Sequence, residues 1–278
     1  MLTTTTSQSL LRRHIALPQD HGSWVFLISP LLIGLFAGGS LTSASVYLIA
    51  AAFSAFLIRQ PTTIAIKVYS GRRPKRELQP ALFWLVVYGL IGGITLIGLV
   101  FQGFGYLLYL AIPGLPVFAW HLYLVSKRAE RRQIGVELVG SGVLALAAPA
   151  ALWVGVGGPQ SMGWLLWALV WFQSAASIVY AYLRLEQRSL PAIPSPAGRI
   201  KMAGRALAYS AFNLAAVSIM AVASLVPALL PLPFALQFIE TVWGSFNPAI
   251  GVKPTSIGIR QLIVSSLFTI LFILIWVL

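Results

Sequence analysis

The chain has 278 residues, 58% of them apolar and 9% charged, with 19 Lys and Arg against 6 Asp and Glu for a formal net charge of +13. An average soluble domain is about 25% charged, so there is too little polar surface here to wrap a water-facing core; a mean hydropathy of +0.87 indicates an all-α polytopic membrane bundle, and the basic balance does not indicate nucleic acid. Cysteine is absent, which excludes disulfides, thiolate catalysis, zinc ribbons and cysteine-held iron–sulfur clusters.

Residues 1–21 read as a cytoplasmic N-terminal segment and residues 22–278 as a single transmembrane helical domain. About 20 apolar residues cross the hydrocarbon, which predicts nine spans at 22–39, 43–58, 81–101, 106–125, 134–155, 162–183, 206–225, 226–243 and 257–278. Arg12 and Arg13 precede the first apolar run, but the polar lead is long and many apolar segments follow. A retained span, not a cleaved signal peptide, is expected.

At the lip of the first span stands LPQDHGSW, residues 17–24. Pro18 restricts the backbone, Asp20 can cap the helix start, and Gly22 and Ser23 permit close helix approach. Trp24 suits the interfacial aromatic belt. An entry cap has no need of His21, which can titrate, donate to an anionic head group or ligate a metal. His121 follows Trp120 at the end of the fourth span. Two histidines without a spacing motif are weak grounds for a metal or haem site, so no metal and no cofactor are expected.

The second span closes on IRQP, residues 58–61, and a basic loop follows with Arg59, Lys67, Arg72, Arg73, Lys75 and Arg76. Lys127, Arg128, Arg131 and Arg132 lie between spans four and five; Arg184, Arg188, Arg199, Lys201 and Arg205 lie between six and seven; Lys253 and Arg260 stand at the entry to nine. With Arg12 and Arg13 these are all 19 bases, and the loops after spans one, three, five and seven hold none. Short cytoplasmic loops collect Lys and Arg, so the N-terminus is expected inside and Leu278 outside, in the inner or plasma membrane. Pro227, Pro231 and Pro233 mark a turn or a broken helix before the eighth segment. A re-entrant hairpin is the alternative there, but it would put Lys253 and Arg260 on the wrong side. From Arg59 to Ala81 and from Arg184 to Ala206 the distance is 22 residues in both cases, a spacing that fits a parallel repeat of four spans plus four, with a ninth helix added.

LPQDHGSW leading into a helix that contains Pro30, followed by IRQP, resembles the YwiC-like family of bacterial membrane proteins. His21, Gly22, Ser23 and Trp24 match the first element of that family's pattern, and Arg59 and Pro61 the second. The family is functionally uncharacterised, so the resemblance implies a fold without an activity. The layout is also similar to UbiA-type intramembrane prenyltransferases, whose Asp-rich loops hold magnesium and a prenyl diphosphate. Magnesium requires hard oxygen ligands beside the phosphates, and the corresponding loops here hold one acid each, Glu77 and Glu186. Magnesium-dependent prenyl transfer is not expected.

Cationic groups at helix ends can grip phosphate or carboxylate; they also set topology and snorkel to lipid head groups. The expected site is a cytoplasmic pocket for an anionic, lipid-like or isoprenoid ligand, made by His21, Trp24, Arg59, Lys67, His121, Arg184 and Arg205, with membrane lipids around it. An ionisable residue within a span is a functional candidate by default. Glu240 therefore supports an alternative, an ion- or proton-coupled transporter. A non-catalytic subunit of a larger complex is the third reading.

Overall fold

The structure, a computed structural model, describes residue 10 and residues 12–18, 21–129 and 133–278, apart from the side chain of His21. Among the described residues the chain is helical throughout, without strands. The helices of ten or more residues are α1 (His21–Ala37), α2 (Ser43–Leu57), α3 (Arg59–Tyr69), α4 (Leu78–Phe101), α5 (Gly114–Ser126), α6 (Ile134–Ala145), α7 (Ala147–Val156), α8 (Ser161–Gln187), α9 (Pro196–Val222), α10 (Pro231–Phe246) and α11 (Pro254–Val277). Among the described residues seven stretches are long and apolar enough to cross a membrane: Ser43–Tyr69, Lys75–Phe101, Gly105–Ser126, Ile134–Val156, Ser161–Gln187, Pro196–Val222 and Pro254–Val277. The apolar run Gly22–Ala37 and the 16-residue α10 are shorter.

Proline decides several boundaries that hydropathy alone misplaces. Hydropathy ends the second span at residue 58, yet helix resumes at Arg59 and runs on to Tyr69. Pro61 has no N–H for the Leu57 carbonyl and its ring crowds that turn, so the bond that would close on Leu57 is missing. The Thr62 hydroxyl and amide then donate to the Ile58 carbonyl at 2.7 and 3.2 Å. Pro149 does the same to the fifth span, where Leu146 separates α6 from α7. Pro231 and Pro233 instead start α10, because the first helical turn has no intrahelical acceptor for its N–H groups. Pro227 stands in the turn between α9 and α10, as one of the two expectations had it, and Pro231 and Pro233 open α10 and do not break a helix. Ser195 accepts from the Gly198 amide at 3.2 Å and caps α9, which begins at Pro196, ten residues before the expected start of the seventh span.

α1 lies at the centre, packed on α2, α6, α7, α8 and α11. Its contact with α7 is made by small residues. A Cβ on Gly34 would overlap the Ala148 carbonyl, and one on Gly155 would sit 2.7 Å from the Gly38 Cα. Such close approach is how helices gain van der Waals contact where lipid competes for every apolar surface. α2 and α3 pack on α4 and α3 also on α5, while α8 packs on α9 and α10. Phe234, Phe268 and Phe272 fill the core between α10 and α11, with ring centroids 5.0 and 5.8 Å apart.

The basic segments gather at one end. Arg72 donates to the Val125 carbonyl, joining the second basic segment to the end of α5. The Arg188 side chain donates to the Val252 carbonyl at 3.2 Å, and Arg199 to the Phe246 carbonyl at 2.9 Å. α10 therefore returns the chain to the same end as Arg188. The N-terminal segment is docked there too: Ile15 is fully buried against Ile64, Ala65, Val68 and Ala81. Trp84, Tyr88 and Gln60 donate to the carbonyls of Leu10, Ala16 and His14 at 3.0, 3.0 and 2.9 Å. Asp20, expected to cap the first helix, lies outside the described residues.

Candidate functional site

Two polar assemblies stand at the basic end. The first joins α8, α10 and α11. Tyr180, Arg184 and Gln187 are spaced to share one face of α8 and meet Glu240, Gly244 and Asn247, equally spaced on α10. Arg260 of α11 donates through Nε and Nη2 to the two carboxylate oxygens of Glu240, at 2.6 and 2.8 Å. The Tyr180 hydroxyl donates to Glu240 Oε1 at 2.9 Å. The Arg260 guanidinium also lies 3.7 Å from the centroid of the Trp243 ring, a cation–π contact. Arg184 is 6% exposed; its Nη1 donates to Gln187 Oε1 and to the Gly244 and Asn247 carbonyls at 2.9, 2.8 and 2.6 Å. Those carbonyls close α10, where orphan acceptors and the negative end of the helix dipole favour a cation. Gly244 makes the approach possible, since a Cβ there would overlap the Tyr180 hydroxyl.

The second assembly is a cleft of about 840 Å³ bounded by α1, α6, α8, α9 and α11, within the usual range of small-molecule sites. Glu137, Tyr182, Glu186, Arg188, Ser189 and Arg205 are its charged and polar groups; Val25, Phe26, Ile178, Leu183, Met202, Ile257 and Leu262 give it apolar wall. The Tyr182 hydroxyl donates to Glu137 Oε1 at 2.6 Å. Ser177 donates to Gln261 Oε1 at 3.0 Å, and further along α11 Ser29 and Thr269 share a hydrogen bond of 2.6 Å. Beyond Thr269 the phenylalanine core takes over. Among the described residues no group of three or more His, Cys, Asp or Glu is gathered as a metal-ligand set.

Of the seven residues expected in one pocket, six have described side chains, and Arg184 and Arg205 among them stand apart. Arg205 lines the cleft; Arg184 lies outside its lining, engaged with the end of α10. Trp24 and Arg59 are joined through Phe56, whose ring is 5.2 Å from Trp24 and 5.7 Å from the Arg59 guanidinium. Trp24 of the first motif element and Arg59 of the second thus flank one phenylalanine ring. His21 opens α1 one turn before Trp24 and Val25; its side chain lies outside the described residues. Lys67 and His121 are half-buried on α3 and α5, which pack together. Glu240 belongs to the α8–α10–α11 network.

Several contributors lie outside the expected set of site residues: Tyr180, Gln187, Trp243 and Arg260 in the network, and Glu137, Tyr182 and Arg188 in the cleft. The signal for the network is the shared spacing of 180, 184, 187 and of 240, 244, 247. Nothing local marks the cleft, because its walls come from five separate helices.

The family described as YwiC-like protein matches residues 17–152. The protein named Uncharacterized protein YwiC, from Bacillus subtilis (strain 168), is 25% identical over 150 residues; this covers 54% of the present chain and 59% of the relative. No solved structure matches.

Proposed function

The chain belongs to the YwiC-like family over residues 17–152, and we propose that this membrane protein binds an anionic amphiphile, with the head group held at its basic, cytoplasmic end. The topology that goes with this reading has nine passes in the inner or plasma membrane, with the N-terminus inside. The supporting observation is the cleft, whose lining holds Arg188 and Arg205 together with apolar wall from α1, α8 and α11. Guanidinium groups suit phosphate and carboxylate, and apolar wall suits a tail. Arg184, expected in the same role, has its Nη1 committed to the end of α10, so the gripping role passes to its neighbours. Native mass spectrometry with lipid identification on wild type, Arg188→Ala/Arg205→Ala and Lys127→Ala tests this. A bound species present in wild type and Lys127→Ala but missing from the double variant is the expected result. An identical set of species in all three overturns the reading.

Transport built on Glu240 has less geometric support. Both carboxylate oxygens are engaged by Arg260, and the groove beside them, with Ser256, Ile259, Ile263 and Val264, is separate from the cleft.

A further inference from the structure

The side that α11 turns to the cleft changes character with depth. Pro254, Gly258, Gln261 and Ser265 all line it, spaced so that they share one face of a helix. The Arg188 side chain is tied to the Val252 carbonyl at 3.2 Å, just ahead of that helix. At a rise of 1.5 Å per residue, Gln261 lies about 10 Å further in than Pro254, and Ser265 about 6 Å beyond Gln261. α8 gives the same depth. Arg205 precedes Ala206, which shares a buried cluster with Leu183. From Leu183 inward to Ser177, the hydrogen-bond partner of Gln261, is about 9 Å at the same rise.

At that depth two uncharged donors stand unmatched. Gln261 Oε1 accepts from Ser177 at 3.0 Å, which leaves the two hydrogens of Nε2 without an acceptor among the described residues. Ser265 Oγ accepts from Gln173 Nε2 at 3.5 Å, and among the described residues its own proton has no acceptor either. Holding α8 to α11 needs only the Ser177–Gln261 bond. Gln261 is half-buried, and a helical side chain leans toward the N-terminus of its helix, here toward the arginines. A donor left unmatched beside apolar wall is costly, so the lining calls for a neutral acceptor a short way below an anion.

We infer that the occupant is an ester-linked glycerophospholipid of net negative charge, with its phosphate facing Arg188 and Arg205 and an acyl ester carbonyl accepting from Gln261 Nε2. Glycerol sets the ester carbonyls below the phosphate, on the way to the tails. An isoprenoid phosphate is hydrocarbon from the phosphate down and leaves Gln261 unanswered. The inference rests on the cleft reading above and narrows its ligand. Val25, Phe26, Ile178 and Ile257 supply apolar wall for the acyl chains.

The test uses the full chain purified in detergent and titrated with three anionic probes: dioleoyl phosphatidylglycerol, its dialkyl ether analogue, which lacks only the carbonyls, and geranylgeranyl phosphate. Wild type is expected to bind the ester about fivefold more tightly than the ether, the size expected of one hydrogen bond. Gln261→Leu is expected to erase that difference, whereas Arg205→Ala weakens ester and ether alike. The ester-to-ether ratio in wild type needs no variant, so it decides even where Gln261→Leu fails to fold. Equal binding of ester and ether to wild type overturns the ester-linked lipid and leaves the cleft reading standing, as does geranylgeranyl phosphate binding as tightly as the ester. An ester preference that survives in folded Gln261→Leu overturns the assignment of Gln261 as its donor. No probe binding to wild type, or none sensitive to Arg205→Ala, overturns both the lipid and the cleft reading.

Discussion

Glu240 and Arg260 share their ion pair unequally. The Glu240 side chain is 10% exposed and the Arg260 side chain 42%, so the carboxylate carries most of the desolvation and the guanidinium keeps part of its contact with polar surroundings. Exposed pairs are worth about 0–1 kcal/mol, but breaking a buried pair costs about 3–5 kcal/mol because a charge is left behind. Which partner is removed therefore matters. Arg260→Met strands the buried carboxylate with only the Tyr180 hydroxyl, whereas Glu240→Gln leaves the more exposed guanidinium on the Trp243 face. Thermal unfolding in detergent should show a larger fall in midpoint for Arg260→Met than for Glu240→Gln, the difference corresponding to about 1–2 kcal/mol; the opposite order would count against this division of burial. The same network shows where single-residue reading stops. Arg59 and Arg184 are alike in sequence, each one cation at the end of an apolar run. In space Arg184 meets the Gly244 and Asn247 carbonyls, about 60 positions away, and no local pattern reports that distance.

Helix periodicity and charge make most elements legible, because long apolar runs and the alternation of bare and basic loops survive in one dimension. What they miss is how helices end and how closely they approach. Runs 43–58 and 59–69 differ sharply in hydropathy, so by composition residues 59–69 resemble a loop. In the fold, α3 is an amphipathic continuation with Pro61, Ile64, Ala65 and Val68 buried. Glycines are equally opaque. Gly34 and Gly93 both sit inside apolar helices, but a Cβ on Gly34 would overlap the Ala148 carbonyl and one on Gly93 would meet nothing within 4 Å. Overpacking costs about 1–3 kcal/mol, while Gly to Ala in an open helical position recovers up to about 1 kcal/mol of helix propensity. Opposite signs follow: Gly34→Ala should lower the unfolding midpoint and Gly93→Ala should hold or raise it. A Gly34→Ala protein as stable as wild type would mean that α1 and α7 do not meet through these small residues.

Across the whole chain the net charge of +13 invites a polyanionic partner, but its placement assigns most of it to one end of the bundle. That end is built, not merely solvated: Arg72 and Arg199 bond carbonyls at the ends of α5 and α10, and Arg188 bonds one in the loop before α11. At 1.5 Å per residue, the 17 residues of α1 and 16 of α10 span about 25 Å, less than the about 30 Å of hydrocarbon. A short helix is accommodated by local thinning or by snorkelling of flanking side chains, at fractions of a kcal/mol per Å. Without a crossing by α10, Lys253 and Arg260 would fall on the opposite side from the other bases, against the bias of short cytoplasmic loops toward Lys and Arg. The proposed topology therefore has both short helices cross. Because the chain has no cysteine, single cysteines report sidedness without background. Ala192→Cys, at the basic end, should react with a membrane-impermeant maleimide only in inverted vesicles. Ser161→Cys, where α8 starts at the opposite end, and Leu278→Cys, at the close of α11, should react in intact cells. A Leu278→Cys that labels together with Ala192→Cys would remove the odd number of passes, and reversal of all three would turn the molecule over and put the cleft outside.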